Sequence, residues 1–436
     1  MTRILYNLLF PLAFLVILPR YLARMFHRGG YRHDFGQRFA RYAPELRARF
    51  DRGEWIWVHA VSVGELLIAL KLLDELHRRH PAWHFIVSST TSTAHALALG
   101  RQTDWWVPVY TPVDFPHLVR RALDAVRPRA IVLTESEMWP NFIWTARRRH
   151  IPVILVNARV SPRSARRYRR FAPVLRAVTR HLQAIGLQEK SHAALWKHLG
   201  VPAQRLHLTG SVKYDPAGER PQDRDFRPVL AGFGFDPADP ILLGGSTHEG
   251  EEEILADGLR ILRKQCPAAR LLIAPRHVER TAKIAASLAR TGFRVARRTE
   301  THTGPAPDIL LLDTTGELPD WYACADAVFI GKSLRGSGGQ NPVEAILAGC
   351  PVLFGPQMQN FAALREALLS AGGAVEIHDA NDLAAETVRL FTDPSHRAKL
   401  VENAGIALQP HHGATVRTAG LVEDAFMGSD SAPSRV

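Results

Sequence analysis

From Trp55 onward, short apolar runs rich in β-branched and aromatic residues alternate with stretches whose apolar positions recur at helical spacing. The runs are Trp55–Val58, His84–Ser88, Ala130–Thr134, Val153–Val156 and Leu182–Gly186, each followed by enough chain for a helix. This alternation predicts βαβ units and a parallel, doubly wound sheet. Between Ser211 and Asp239 the rhythm breaks into a stretch rich in Pro, Asp, Arg and Gly, then restarts at Ile241–Gly245, Leu271–Ala274, Ile309–Leu312, Ala327–Ile330 and Val352–Phe354. The expected architecture is therefore α/β, with two Rossmann-like domains joined by a linker. Because ligands of open α/β sheets bind beyond the carboxyl ends of the strands, a central cleft faced by both sets of strand-end loops is expected. The pattern divides the chain into an N-terminal segment 1–50, a first Rossmann-like domain 51–210, a linker 211–239, a second domain 240–427 and a frayed tail 428–436.

The N-terminal segment has a different character. Ile4 to Leu18 is apolar except for Asn7 and Pro11, and eight arginines follow between Arg20 and Arg49 against only Asp34 and Glu45. A secretory signal would carry its positive charge mainly ahead of the apolar run and end in a small-residue cleavage site, whereas here Pro19-Arg20 follows the run and no A-x-A pattern appears. The run predicts a membrane-anchor helix, spanning or in-plane, with the flanking arginines keeping the rest of the chain in the cytoplasm. A buried core helix is the alternative.

Composition sharpens this reading. Hydrophobic residues make up 46% of the chain, enough for a folded protein, while 55 Lys+Arg against 42 Asp+Glu give a net charge of +13. Between Glu137 and Glu189 lie eleven arginines and no carboxylate, so the stretch cannot neutralise itself through helical ion pairs. A solvated basic face is one reading; a phosphate-rich partner, whether nucleic acid, anionic lipid or phosphorylated substrate, is the other. The apolar N-terminus favours lipid. Three separated cysteines, Cys266, Cys324 and Cys350, form no disulfide framework or zinc motif, and Asp223-Arg224-Asp225 has the D-x-D form but no strand end to sit on. No protein-bound metal or other cofactor is expected.

Candidate chemistry sits where strands end. His59-Ala60-Val61-Ser62-Val63-Gly64-Glu65 leads from the first strand into a helix, so Glu65 either complements the helix dipole or serves as a general base on an acceptor hydroxyl. Thr134-Glu135-Ser136-Glu137-Met138-Trp139-Pro140-Asn141 offers two carboxylates whose alternation points them in opposite directions, so at most one is expected in the cleft. In the second half, Ser246 and Thr247 at a helix start suit an anion, and Arg276 and His277 end the next strand in the same layer of loops. Gly331 to Ala345 is the most specific stretch: a glycine-dense loop with Gly338 and Gly339, then Asn341, Pro342 and first-turn Glu344. Its amides suit a phosphate, and Asn341 with Glu344 suits ribose hydroxyls.

Together these motifs resemble the bacterial 3-deoxy-D-manno-octulosonic acid (Kdo) transferases, glycosyltransferase family 30, with the GT-B fold. The resemblance spans nearly the whole chain: Gly30-Tyr31-Arg32, Gly36-Gln37-Arg38-Phe39, the HAVSVGE and TESEMWPN loops, Gly210–Asp215, Ala274-Pro275-Arg276-His277, and GGQNPVEA leading to Pro351–Pro356. It implies inverting transfer of Kdo from CMP-Kdo to a lipid A precursor at the cytoplasmic face of the inner membrane, without a bound metal. Carried over by position, Glu65 is the general base, Glu137 lines the acceptor side and Lys213 faces the reacting phosphate or the sugar carboxylate. Ser246, Thr247, Arg276 and His277 would contact the CMP phosphate, and Asn341 and Glu344 the ribose. The chain departs from many relatives at Lys332, where a second Gly is usual, and at Ser211, where Asn is usual; neither departure touches the base or the GGQNP loop.

Two rivals predict different behaviour. Another GT-B enzyme, such as a heptosyltransferase or a nucleotide-sugar epimerase, would differ in donor, and an epimerase would need no lipid-facing terminus. A nucleic-acid binder would lose affinity steeply with salt and survive the loss of Glu65; no nucleic-acid motif accompanies the basic stretch, so nucleic acid is not expected as a partner, and no protein partner is inferable.

Overall fold

The computed structural model describes residues 2–28, 34–51, 53–160, 162–215 and 224–430. The Gly30–Arg32 motif, the linker portion 216–223 and the terminal 431–436 lie outside the described residues.

Two compact units result, and the chain enters each by a route the linear reading did not foresee. The first comprises Met1–Asp215 together with His411–Val436, the second Pro216–Pro410. In the first unit seven strands form one sheet: β1 (Trp55–Ala60), β2 (His84–Ser89), β3 (Trp106–Tyr110), β4 (Ala130–Thr134), β5 (Val153–Ala158), β6 (Ala184–Leu187) and β7 (Leu206–Leu208). Their order is β3-β2-β1-β4-β5-β6-β7 and every pairing is parallel. The second unit repeats the plan with β8 (Ile241–Thr247), β9 (Arg270–Pro275), β10 (Val295–Arg297), β11 (Ile309–Leu311), β12 (Ala327–Ile330), β13 (Val352–Phe354) and β14 (Val375–Glu376), ordered β10-β11-β9-β8-β12-β13-β14. All ten expected strands are present. The four others, β3, β7, β10 and β14, are short or lie at sheet edges. β3 escapes the pattern because Pro108 interrupts it, which an edge strand tolerates since one side of its ladder is unpaired.

Strand order reverses between β1 and β4 in the first sheet and between β8 and β12 in the second. Every strand-end loop singled out above on chemical grounds follows one of these four strands, apart from the Arg276 loop, which follows the neighbouring β9.

The expected second domain, 240–427, ends too late. The last helix, Ala414–Asp430, lays Leu421, Val422 and Phe426 into the core of the first sheet beside Val58, Leu72 and Ile154. Glu423 pairs with Arg79 and His80, both at 2.9 Å, and Asp215 accepts the amides of Gly413 at 3.0 Å and Thr415 at 2.6 Å, clasping the helix start. Ser211–Asp215, expected as linker, thus belongs to the first unit, and Arg227–Gly232 forms a helix in the second. The expected frayed tail is helical to Asp430.

The N-terminal helix, Thr2–Arg28, also departs from a freestanding anchor. Tyr6, Asn7, Phe10 and Phe14 share one face and dock on the first unit. Tyr6 donates to Asp114 at 2.9 Å, Asn141 donates to Asn7 Oδ1 at 2.8 Å, and Phe10 and Phe14 meet the Phe115 ring edge-on at 5.4 and 5.5 Å. Asn7, an interruption in the apolar run, is thereby a docking residue. The opposite face leaves Ile4, Leu8, Leu12 and Val16 in solvent, Val16 to 78%. No described helix is long and apolar enough to cross a membrane.

Replacing Asp215 with Ala removes both amide acceptors at the start of the last helix. The expected cost is about 1–2 kcal/mol, the range for a lost N-cap. Thermal unfolding should show a lowered midpoint, and limited proteolysis should cut first within 411–430; unchanged cleavage would mean that the core contacts alone hold the helix.

Candidate active site

In the first unit, Ser62 caps the helix Val63–Arg79 and Glu65 stands at its third position. Ser62 Oγ accepts the Glu65 amide at 3.4 Å and donates to Glu65 Oε1 at 3.0 Å, while the Val61 amide donates to Oε2 at 2.9 Å. This is a variant of the capping box in which the carboxylate folds back to the amide one residue before the N-cap, toward the end of β1. Thr134, the last residue of β4, brings its hydroxyl to 3.2 Å from Oε2. The helix-start role and placement at the strand reversal therefore coincide in one side chain, and partial exposure leaves the carboxylate reachable.

Glu135 and Glu137 both gather around it, which corrects the expectation that alternation would separate them. Glu135 has φ 55°, a left-handed conformation that ends the pleat at β4, so the extended-strand rule stops applying there. Burial and then the Glu65 charge push both carboxyls up; Glu137 reaches about 7. Lys213, on the short 3-10 turn Val212–Tyr214, lies in the same unit. Burial lowers it to about 8, with Glu135 opposing the shift and Arg159 assisting. Glu135 of the carboxylate cluster is thus one of the charges that act on it.

Trp139 and His59, which stand in the sequence motifs without an assigned role, link the loops around this cluster, and Asp114, which the sequence did not single out, holds the turn after β4. Trp139 donates its indole N–H to His59 Nε2 at 2.9 Å. Since indole only donates, Nε2 carries no proton, and the Nδ1 proton faces Ser88 Oγ at 2.9 Å. Burial drives His59 down to about 4, consistent with a neutral ring. Asp114, fully buried, accepts the amides of Asn141 and Phe142 and the Tyr6 hydroxyl, so it anchors both the TESEMWPN turn and the N-terminal helix. Burial raises it to about 7. On the far side of the turn a cavity of about 420 Å³ opens beside Glu137, Trp139, Arg167 and Tyr168.

In the second unit the loops after β8, β9 and β12 converge. Ser246 (φ 54°) and Lys332 (φ 58°) both adopt left-handed backbone, and a Cβ on Gly331 would stand 2.3 Å from the Ser246 carbonyl, so only glycine fits there. His248 and His277 lie with ring centroids 6.0 Å apart, and Arg276 and His277 are exposed. The expected phosphate cradle of backbone amides is largely filled from within. Glu251, completely buried, accepts the amides of His248, Lys332, Ser333, Leu334 and Arg335 at 2.7–3.2 Å. Thr247 is likewise buried and donates to Glu252 at 3.0 Å. Gly338 and Gly339 serve loop packing: Gly338 N–H donates to Gln359 Oε1 at 2.7 Å, and a Cβ on Gly339 would strike Met358 sulfur at 2.3 Å. Arg276, His277 and, on the loop after β12, Arg335 are the exposed basic side chains here. Asn341 accepts the Val343 amide at 3.2 Å, and Glu344 occupies the first turn of Val343–Leu347; burial, and after it the Glu344 charge, raises the Tyr322 phenol. Glu251 carried a faint signal as the first of three consecutive glutamates at a helix start; nothing local said that it would reach across to β12.

Glu137 titrates upward on folding, so the stability tied to its protonated form is present below about pH 4.5 and lost as pH rises through about 7. Unfolding free energy should fall between pH 5 and 8, by up to about 3 kcal/mol from this group. Glu137→Gln should flatten that part of the profile while the Asp114 contribution persists; parallel profiles for the two proteins would refute the shift. Glu251→Ala should destabilise the second unit by about 3 kcal/mol or more and accelerate hydrogen exchange at amides 332–335, read by mass spectrometry.

A sequence profile described as "3-Deoxy-D-manno-octulosonic-acid transferase (kdotransferase)" matches residues 33–216. A 3-deoxy-D-manno-octulosonic acid transferase of Bordetella pertussis is 34% identical over 405 residues, covering 89% of this chain and 90% of the relative. One from Haemophilus influenzae is 30% identical over 400 residues, covering 90% and 91%. Among solved structures, a putative UDP-N-acetylglucosamine 2-epimerase from Listeria monocytogenes superposes with TM-score 0.58 at 13% identity, covering 88% of this chain and all of that one. The glycotransferase of kitacinnamycin gives 0.54 at 18% identity, covering 86% and 99%. These structural likenesses place the two doubly wound units in the GT-B class of folds. The sequence likeness over nine-tenths of both chains decides the rest: the chain belongs to the 3-deoxy-D-manno-octulosonic acid transferase family and is a glycosyltransferase.

Proposed function

We propose that the enzyme moves Kdo from CMP-Kdo to the primary hydroxyl of a lipid A precursor, lipid IVA, with inversion, in lipopolysaccharide core biosynthesis. The observation that carries this reading is Glu65, a partly exposed carboxylate fixed at the β1–β4 reversal. A base there takes the proton of the acceptor hydroxyl as it attacks the anomeric carbon of the donor sugar, from the face opposite departing CMP. The neighbouring Glu137 contacts the acceptor sugar. In the second unit Arg276 and His277, with Ser246 and the Thr247 turn, stabilise the negative charge that grows on CMP, while Asn341 and Glu344 hold its ribose. Gly338 and Gly339 shape the loop that carries these last two. Lys213 meets the sugar carboxylate or the reacting phosphate, its lowered affinity for protons recovering when an anion arrives. No protein-held metal is needed, because charge neutralisation comes from side chains.

The exposed apolar face of the N-terminal helix supports an in-plane seat on the cytoplasmic face of the inner membrane. Ile4, Leu8, Leu12 and Val16 would enter the acyl boundary, and the exposed arginines 166, 167, 169 and 170 would meet anionic headgroups.

Purified enzyme supplied with lipid IVA, CMP-Kdo and EDTA should yield products heavier by whole Kdo units, and their number gives the additions per acceptor. A folded, CMP-binding protein that makes no product would point to another sugar donor. Glu65→Gln keeps a side chain suited to the capping box, so it should fold and bind CMP yet turn over roughly 10²–10⁴-fold more slowly; near-normal turnover removes Glu65 as the base. Glu344→Ala should weaken CMP binding in calorimetry with the first unit's stability unchanged.

A further inference from the structure

Against the inner face of the N-terminal helix, the first unit encloses a second cavity, of about 250 Å³. Phe10, Ala13 and Phe14 line it from the helix, and Val113 and Trp139 from the loops after β3 and β4. Arg38 is its sole charged lining residue, and its guanidinium is engaged, donating to the Thr90 carbonyl at 2.5 Å and lying 4.2 Å from the centroid of the Tyr110 ring. The space is larger than the roughly 150 Å³ apolar cavity that stays dry and takes up benzene. Its occupant must be apolar, because a peptide would bring in backbone groups for which the walls offer few partners.

Two observations identify that occupant. Ala13 lines the cavity and is itself exposed, and at helical spacing Leu9, Leu12 and Val16 surround it on the solvent face, so the cavity continues into the apolar surface of the helix. On its inner side Trp139 is a shared wall, lining both this space and the cavity that holds Glu137 and Arg167. The same indole is bonded to His59, whose carbonyl lies 2.9 Å from the Thr134 hydroxyl beside Glu65. A molecule with a hydrocarbon tail on one side of Trp139 thus has its polar head beside the carboxylate cluster.

We propose that this cavity receives one acyl chain of the lipid acceptor and so selects acceptors by the length of that chain. The inference rests on the lipid-acceptor reading above and adds a site that measures the lipid. Each methylene buried is worth about fourfold in binding, so the apparent KM of the wild-type enzyme should fall as the acceptor chain lengthens and level off once the cavity is full. Ala13→Trp fills the cavity from an exposed helix position, and Val113→Phe fills it from the opposite wall should the first change disturb the helix. KM and kcat are measured for lipid IVA and for a short-chain analogue of the same phosphorylated disaccharide in mixed micelles. Expected is a rise in KM of tenfold or more for lipid IVA, with kcat/KM for the short-chain acceptor changed less than twofold. Equal effects on both acceptors, or none on either while transfer continues, overturn the acyl site and leave the lipid-acceptor reading standing. A wild-type enzyme that binds CMP-Kdo but transfers to neither acceptor removes both.

Discussion

Helices that follow β1 and β4 must leave the sheet on opposite faces, because right-handed crossovers run outward in both directions from the point where strand order reverses. The loops joining those strands to their helices are forced apart, and the sheet cannot fill the gap with its own backbone. The second unit meets the same constraint at β8 and β12. Glu65 and the Glu135–Glu137 turn hang on the first reversal; Ser246, His248 and Lys332 hang on the second. The candidate site residues of each unit thus gather at a topological necessity occurring twice, and different side chains give the two gaps different chemistry: carboxylates in the first, a glycine-rich backbone with the partly exposed His248 and Lys332 in the second.

Each gap is kept in shape by a buried acid whose oxygens are taken up by hydrogen bonds within the protein. Asp114 binds the amides of Asn141 and Phe142 and the hydroxyl of Tyr6, tying the turn after β4 to the N-terminal helix. Glu251 binds five amides and shapes the loop after β12. A buried carboxylate is costly unless its lone pairs are met, and both groups meet theirs with N–H or O–H donors from distant parts of the chain. Such groups turn a loop into a rigid part, which a reaction dependent on placed charge requires.

The strand rhythm and the strand-end motifs were legible because both are local: a buried parallel strand must be apolar over consecutive positions, and a helix start must be capped. What escaped depended on distance. Glycines and helix-start amides read as an anion cradle, since sequence shows the donors but not the internal acceptor that occupies them, Glu251. Alternation misplaced Glu135 because a single left-handed residue ended the strand there. Asn7 read as a flaw in an anchor until Asn141, 134 positions on, appeared opposite it. The last helix was assigned to the nearer domain because nothing within it names the sheet it covers.

That last helix has a consequence for how the protein is made. The second unit, Pro216–Pro410, is in effect inserted into the first, whose core lacks Leu421, Val422 and Phe426 until the insert has been made. At synthesis rates of about 5–20 residues per second, the roughly 200 residues of the insert impose a wait of about 10–40 s. During that interval the first sheet has an uncovered apolar face and the N-terminal helix is already outside the ribosome. The order of domain completion is therefore inverted relative to the order of translation, and the nascent first unit keeps that apolar face exposed until residues 411–430 follow.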